Sequence, residues 1–207
     1  MEEAKKLNRF YIFPILYVLS VYMAISNIFT GNKGLLYSLM FLSPFILGIL
    51  NIVVCVRCCK PQYRDIMITS AAIVKYCMVP FFVMGGFFTT CTFISGFVIP
   101  VPPMIIIGPS IALMLCIAGW LIVAFGSPYV ISYTVLCQRE GKTSKGMAVL
   151  HIILQFFFTL DVIDVICLSF KARRNVKMSV AVIVLMAVSV ILIIALVLFV
   201  LLQIIII

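Results

Sequence analysis

The sequence predicts an all-α integral membrane protein, a helical bundle of five to six membrane-embedded segments. Three observations carry this reading. Of 207 residues, 65% are hydrophobic and 10% charged, whereas soluble domains are about half apolar and about a quarter charged. Apolar runs of about 20 residues, enough to cross a hydrocarbon core of about 30 Å, recur along the chain. Backbone N–H and C=O groups find no water there, so such runs must be helical. Finally, the cations gather in short clusters at the ends of the runs, where Lys and Arg set orientation and meet anionic head groups. The net charge of +9 therefore points to the lipid bilayer and away from nucleic acid.

The loops are short, so residues 1–207 read as a single polytopic membrane domain with no separate catalytic module. Its segments fall at about 10–30, 35–56, 66–88, 110–136, 147–170 and 178–207. The first follows Lys5, Lys6 and Arg9 and exceeds the apolar length of a secretory signal, so it is expected to be a retained helix with a cytoplasmic N-terminus. The second ends at Arg57, Lys60 and Arg64, which mark the cytoplasmic side. The third holds Lys75 near its middle and ends at Gly85-Gly86, a candidate bend.

Thr89 to Pro109 carries no charge and contains Pro100, Pro102, Pro103 and Pro109, which are expected to break any helix and leave an external loop whose apolar content dips it into the interface or back into the membrane. The fourth segment returns to Arg139, Lys142 and Lys145. The last is longer than the core requires and is expected to tilt or project.

Segment 147–170 poses a topological problem. If it spans, Lys171, Arg173, Arg174 and Lys177 lie outside, against the positive-inside rule. If it re-enters or is shallowly embedded, thirteen of the fifteen cations share the cytoplasmic side, leaving Lys33 outside and Lys75 within. Re-entry is the reading taken, with a true span as the alternative. Asp161 and Asp164 would then cap a second half-helix, although no Gly or Pro marks the break.

Lys75, His151, Gln155, Asp161 and Asp164 form the candidate intramembrane polar site. Ionisable groups at membrane depth usually pair, face the bundle interior or mark a pathway. On the re-entrant reading Lys75 and Asp161 reach similar depths and can meet, as a proton or ion relay or as a structural pair that fixes helix packing. His151 and Gln155 share a helix face, whereas Asp161 lies about 80° around and some 15 Å along. A His–Asp pair therefore needs a bend.

Cys55, Cys58 and Cys59 are candidate juxtamembrane thiols. Their CxxC spacing suits dithiol chemistry, but the neighbouring cations place them on the reducing side. No metal set, HExxH motif or phosphate-binding glycine loop is present, and no disulfide or cofactor is expected. Asp161 and Asp164 share one segment, unlike an intramembrane aspartyl dyad. Gly126-Ser127 shows no His or Lys in register to activate the serine. No internal repeat supports an inverted-repeat transporter.

Leu150 to Val165, followed by Lys171-Ala172-Arg173, resembles small uncharacterised polytopic membrane proteins of Firmicutes. Their closing segment carries a similar His–Ile–Ile–Leu–Gln and Leu–Asp–Val–Ile pattern before basic residues. The resemblance runs from Leu150 to Arg173 and implies a multi-pass protein of the bacterial plasma membrane. The expected function is non-enzymatic interaction within the bilayer, as an accessory subunit or immunity-type partner of another membrane protein, or as a homo-oligomer. The alternative is a small-solute or ion transporter or channel using Lys75, Asp161 and Asp164; a membrane thiol redox protein comes third.

Overall fold

A computed structural model describes residues 10–30, 34–98 and 101–206. The elements are α1 (Ile12–Thr30), α2 (Leu35–Arg57), a 3-10 turn (Pro61–Tyr63), α3 (Arg64–Cys77), α4 (Val79–Val98) and α5 (Met104–Gly126). They continue with α6 (Pro128–Arg139), α7 (Lys145–Leu154), α8 (Leu160–Lys171) and α9 (Val176–Ile206). All are helical. Among the described residues, three stretches are long and apolar enough to cross a membrane: Ser38–Arg57, Pro61–Val98 and Met104–Gly126.

The interior is built around α3, which packs against α1, α6, α8 and α9. Its sequence explains this position. Ile66, Met67, Ile68, Ser70, Ala71, Ala72, Val74, Lys75 and Tyr76 are all buried, so little of the helix is left for an outer surface. Ser70, Ala71 and Ala72 let neighbouring backbones approach. Tyr17, Val21, Tyr129, Val130 and Val165 complete the core around it.

Four parts of the chain converge at one basic end. Phe10 stacks on Tyr63 at 6.1 Å, Arg64 pairs with Glu140 at 2.5 Å, and Asp65 accepts from Arg174 at 2.7 Å. The 139–145 and 171–176 connections therefore lie at the same end, and the segment between them leaves and returns. It is a helix–break–helix hairpin, with α7 and α8 joined through residues 155–159. At 1.5 Å per residue the arms reach about 15 and 18 Å, roughly half the thickness of a bilayer core.

Several expected boundaries move. The chain from Thr89 to Pro109 is not an open loop: α4 runs to Val98 and α5 starts at Met104. The apolar sequence before Val98 sustains the helix, and Pro102 and Pro103 fall in the turn and at the N-cap position of α5, where a missing N–H costs little. Pro109 is carried inside α5. There α4 and α5 cross closely, because a Cβ on Gly108 would lie 2.7 Å from Gly96 Cα.

The bend expected at Gly85-Gly86 is absent, since α4 passes through both. The interruption comes instead at Met78, just before Pro80, which has no N–H to donate back into α3. Likewise 110–136 is not one helix. It breaks at Ser127, because Pro128 cannot continue α5 and starts α6 at its first position.

Candidate functional site

Two of these interruptions, at Ser127 and at residues 155–159, are linked by one buried polar network that α3 enters through Lys75 in its last turn. Lys75 on α3 supplies its cation. The ammonium has three N–H groups and three acceptors: Asp161 Oδ2 at 2.8 Å, Ser127 Oγ at 3.0 Å and Val123 O at 3.4 Å. Lys75 is 2% exposed and Asp161 1%, so the pair is sealed from solvent. Asp161 lies in the first turn of α8, where its other oxygen accepts from Val162 N at 2.8 Å.

The network also caps broken helix ends. Helix termini leave carbonyls without intrahelical donors, and Val123 O and Gln155 O are at two such ends. Ser127 Oγ lies 2.7 Å from Val123 O and 3.1 Å from Gln155 O. Tyr17 Oη donates to Ile122 O at 2.8 Å. Lys75, Ser127 and Tyr17 thus serve the C-terminal ends of α5 and α7 from buried positions.

Across the hairpin, His151 Nδ1 faces Asp164 Oδ1 at 2.5 Å, and Gln155 Nε2 donates to Asp164 Oδ2 at 2.6 Å. A second contact from Gln155 Nε2 reaches His151 O at 3.4 Å. The pairing therefore joins α7 to α8, as the bend between them permits, and the partner of His151 is Asp164 and not Asp161. Gln155 joins the two halves: its backbone carbonyl accepts from Ser127 on the Lys75 side, and its side-chain amide donates to Asp164 on the His151 side. Among the described residues, Gln155 Oε1 is buried and accepts no hydrogen bond.

The break needs no Gly or Pro. Leu160 N donates to Phe158 O at 2.8 Å around Thr159, whose φ of 69° and ψ of −46° make a positive-φ γ-turn. Aromatic anchors hold it: Phe158 meets Phe82 at 5.7 Å and Phe156 meets Trp120 at 6.2 Å between ring centroids. The N-cap position of α8 is Thr159, with no side-chain bond. Asp161 and Asp164 are therefore not its caps; they lie further into the helix, facing Lys75 and His151.

All five residues of the expected polar site belong to this network. Ser127, considered in the sequence only as a nucleophile and set aside, is a further member. Lys75 is in register with it after all, because α3 and α5 come together only in the tertiary structure. The contact does not make a nucleophile, since an ammonium donating to Asp161, Ser127 and Val123 O has no lone pair to take the serine proton. The thiols lie elsewhere: Cys55 is buried, Cys58 is at the C-cap of α2, Cys59 is half-buried, and all eight cysteines are free.

Residues 7–175 match a family described as a family of unknown function (DUF6652). The chain belongs to the DUF6652 family. The DUF6652 match includes every residue of the polar network and covers α1 through α8. No curated protein and no solved structure matches the chain.

Proposed function

We propose that this DUF6652 protein is a multi-pass protein of the bacterial plasma membrane that works by contact within the bilayer, with the Lys75 network as its internal brace. The observation that supports this most directly is the saturation of Lys75: each N–H has a protein acceptor. A buried cation so engaged fixes the packing of α3 against α5 and α8 and holds the hairpin in place. In this reading α1, α2, α3–α4, α5–α6 and α9 cross, and 147–170 re-enters from the cytoplasmic side, which is the basic end.

The contact surface in this reading is the α4–α5 pair, which turns Phe97, Ile106, Leu113 and Met114 outward. A partner subunit, an immunity-type target or a second copy would dock there. A photo-crosslinking residue at Phe97 or Met114 in intact membranes is expected to give a discrete protein adduct. Lipid adducts alone would contradict the reading.

A second reading is a small-solute or ion transporter using Lys75, Asp161 and Asp164. It is favoured by the placing of Lys75, Asp161, Asp164 and His151 in one buried polar cluster. Flux through proteoliposomes of the protein alone, lost on Asp161→Asn in a variant that still folds, would establish it and displace the first.

A further inference from the structure

The polar network does not use the charged groups at the basic end, and these surround a cavity of about 410 Å³. Its floor is Tyr133, Cys137 and Leu168, all nearly buried. Arg64, Lys142 and Lys171 stand around it, with Asp65 also in the wall. The size suits a small ligand or head group.

The charge count favours an anion. Arg64, Lys142 and Arg174 share two carboxylates, Asp65 and Glu140. Lys171 makes no ion pair among the described residues, so positive charge is in excess at the cavity. Helix capping does not account for it. The last carbonyls of α8 already accept from backbone: Leu168 O from Ala172 N, Phe170 O from Arg173 N and Ser169 O from Arg174 N. At the end of α6, Leu136 O accepts from Glu140 N and Cys137 O from Lys142 N.

We infer that this cavity binds a phosphate ester, with Lys171 as its uncommitted cation and Arg64 and Lys142 flanking it. A Lys ammonium meets phosphate as a point charge, and an Arg held by carboxylates keeps further N–H groups to offer. Thr143 adds a hydroxyl donor in the same wall. Two sources share this chemistry: the head group of an anionic phospholipid, which rests on the membrane reading above, and a soluble phosphate ester, which does not.

The test uses the full chain in neutral maltoside micelles. Native mass spectrometry compares retention of phosphatidylglycerol with that of phosphatidylcholine, and a melting assay adds inorganic phosphate alone. Lys171→Gln is expected to weaken binding by about tenfold or more, as loss of a charged hydrogen bond to phosphate does. Lys177→Gln, which removes the same charge outside the cavity, should leave binding unchanged, and both variants should melt as the parent does without ligand. Selective phosphatidylglycerol retention lost in Lys171→Gln assigns a lipid head group. A phosphate-induced rise in melting temperature lost in the same variant assigns a soluble ester. Equal retention of the two lipids together with no phosphate effect, or equal losses in the two variants, would overturn the site. Carbonate extraction of cell membranes tests the membrane reading separately, and the phosphate arm remains interpretable if that reading fails.

Discussion

Lys75 and Asp161 lie 86 positions apart in the chain and 2.8 Å apart in the structure, a contact made by the return of α8 toward the basic end. A buried charge pair thus ties the α7–α8 hairpin to the central helix α3. Removing one partner strands the other charge. Lys75→Met or Asp161→Leu is therefore expected to lower stability by about 3–5 kcal/mol, while the double variant recovers most of the loss. Unfolding in neutral micelles measures all three, and a double variant as unstable as either single one would contradict a brace.

The hairpin turns on a strained residue. Thr159 has a φ of 69°, and a residue held in a sparsely populated region costs about 1–3 kcal/mol. Thr159→Gly should relieve this and, after the greater freedom of glycine in the unfolded chain is counted, stabilise by about 1 kcal/mol. Thr159→Pro cannot adopt the conformation and should prevent α7 and α8 from folding back on each other. A melting comparison of the two with the parent checks both directions.

At the crossing of α4 and α5, Gly108 meets Gly96 with no room for a side chain, whereas Gly85 faces open space. Gly108→Leu should cost about 1–3 kcal/mol by overpacking. Gly85→Ala should be neutral or stabilising by up to about 1 kcal/mol, because alanine is the better helix former. Equal melting temperatures for the two variants would mean that the crossing is looser than described.

The connection between α3 and the residues that follow α6 is expected to loosen in acid. The hydrogen bond from Lys142, and then that from Arg64, hold the Glu140 carboxyl below its ordinary range. A group depressed in the folded state adds stability above its unfolded pKa and loses it as pH falls through the folded value. Below the ordinary glutamate range the Arg64–Glu140 link should therefore open, and hydrogen exchange across residues 139–145 should quicken. Glu140→Gln should show the faster exchange already at neutral pH, with little further change on acidification.

Much of this was legible in the sequence, and the misses have physical causes. Lys75, His151, Gln155, Asp161 and Asp164 stood out because a polar side chain in an apolar run must find a partner. A chain that leaves and returns to one end was expected from Lys171 to Lys177, whose charges a true span would place outside, and the α7–α8 hairpin has that shape. The break itself had no Gly or Pro to announce it, because Thr159 takes the positive φ and Phe156 and Phe158 are held by Trp120 and Phe82. Those contacts are tertiary. Ser127 was set aside as lacking a lysine in register for the same reason, its distance from Lys75 being 52 positions along the chain. The prolines misled in the opposite way: Pro102 and Pro103 mark a short turn, and Pro109 is absorbed within α5, so the open loop expected from Thr89 to Pro109 became the ends of two helices.

The central claim, that residues 145–171 leave and return to one face beside Lys75, is tested most directly by single-cysteine labelling on a cysteine-free background. Cysteine is placed at Lys145, Lys177 and Val101, all exposed, and intact cells are treated with an impermeant thiol reagent before and after opening. The account predicts that Val101→Cys labels in intact cells, while Lys145→Cys and Lys177→Cys both label only once the cells are opened. Labelling of Lys177→Cys, but not Lys145→Cys, from outside would mean that the segment spans the membrane, and the re-entrant account would be wrong.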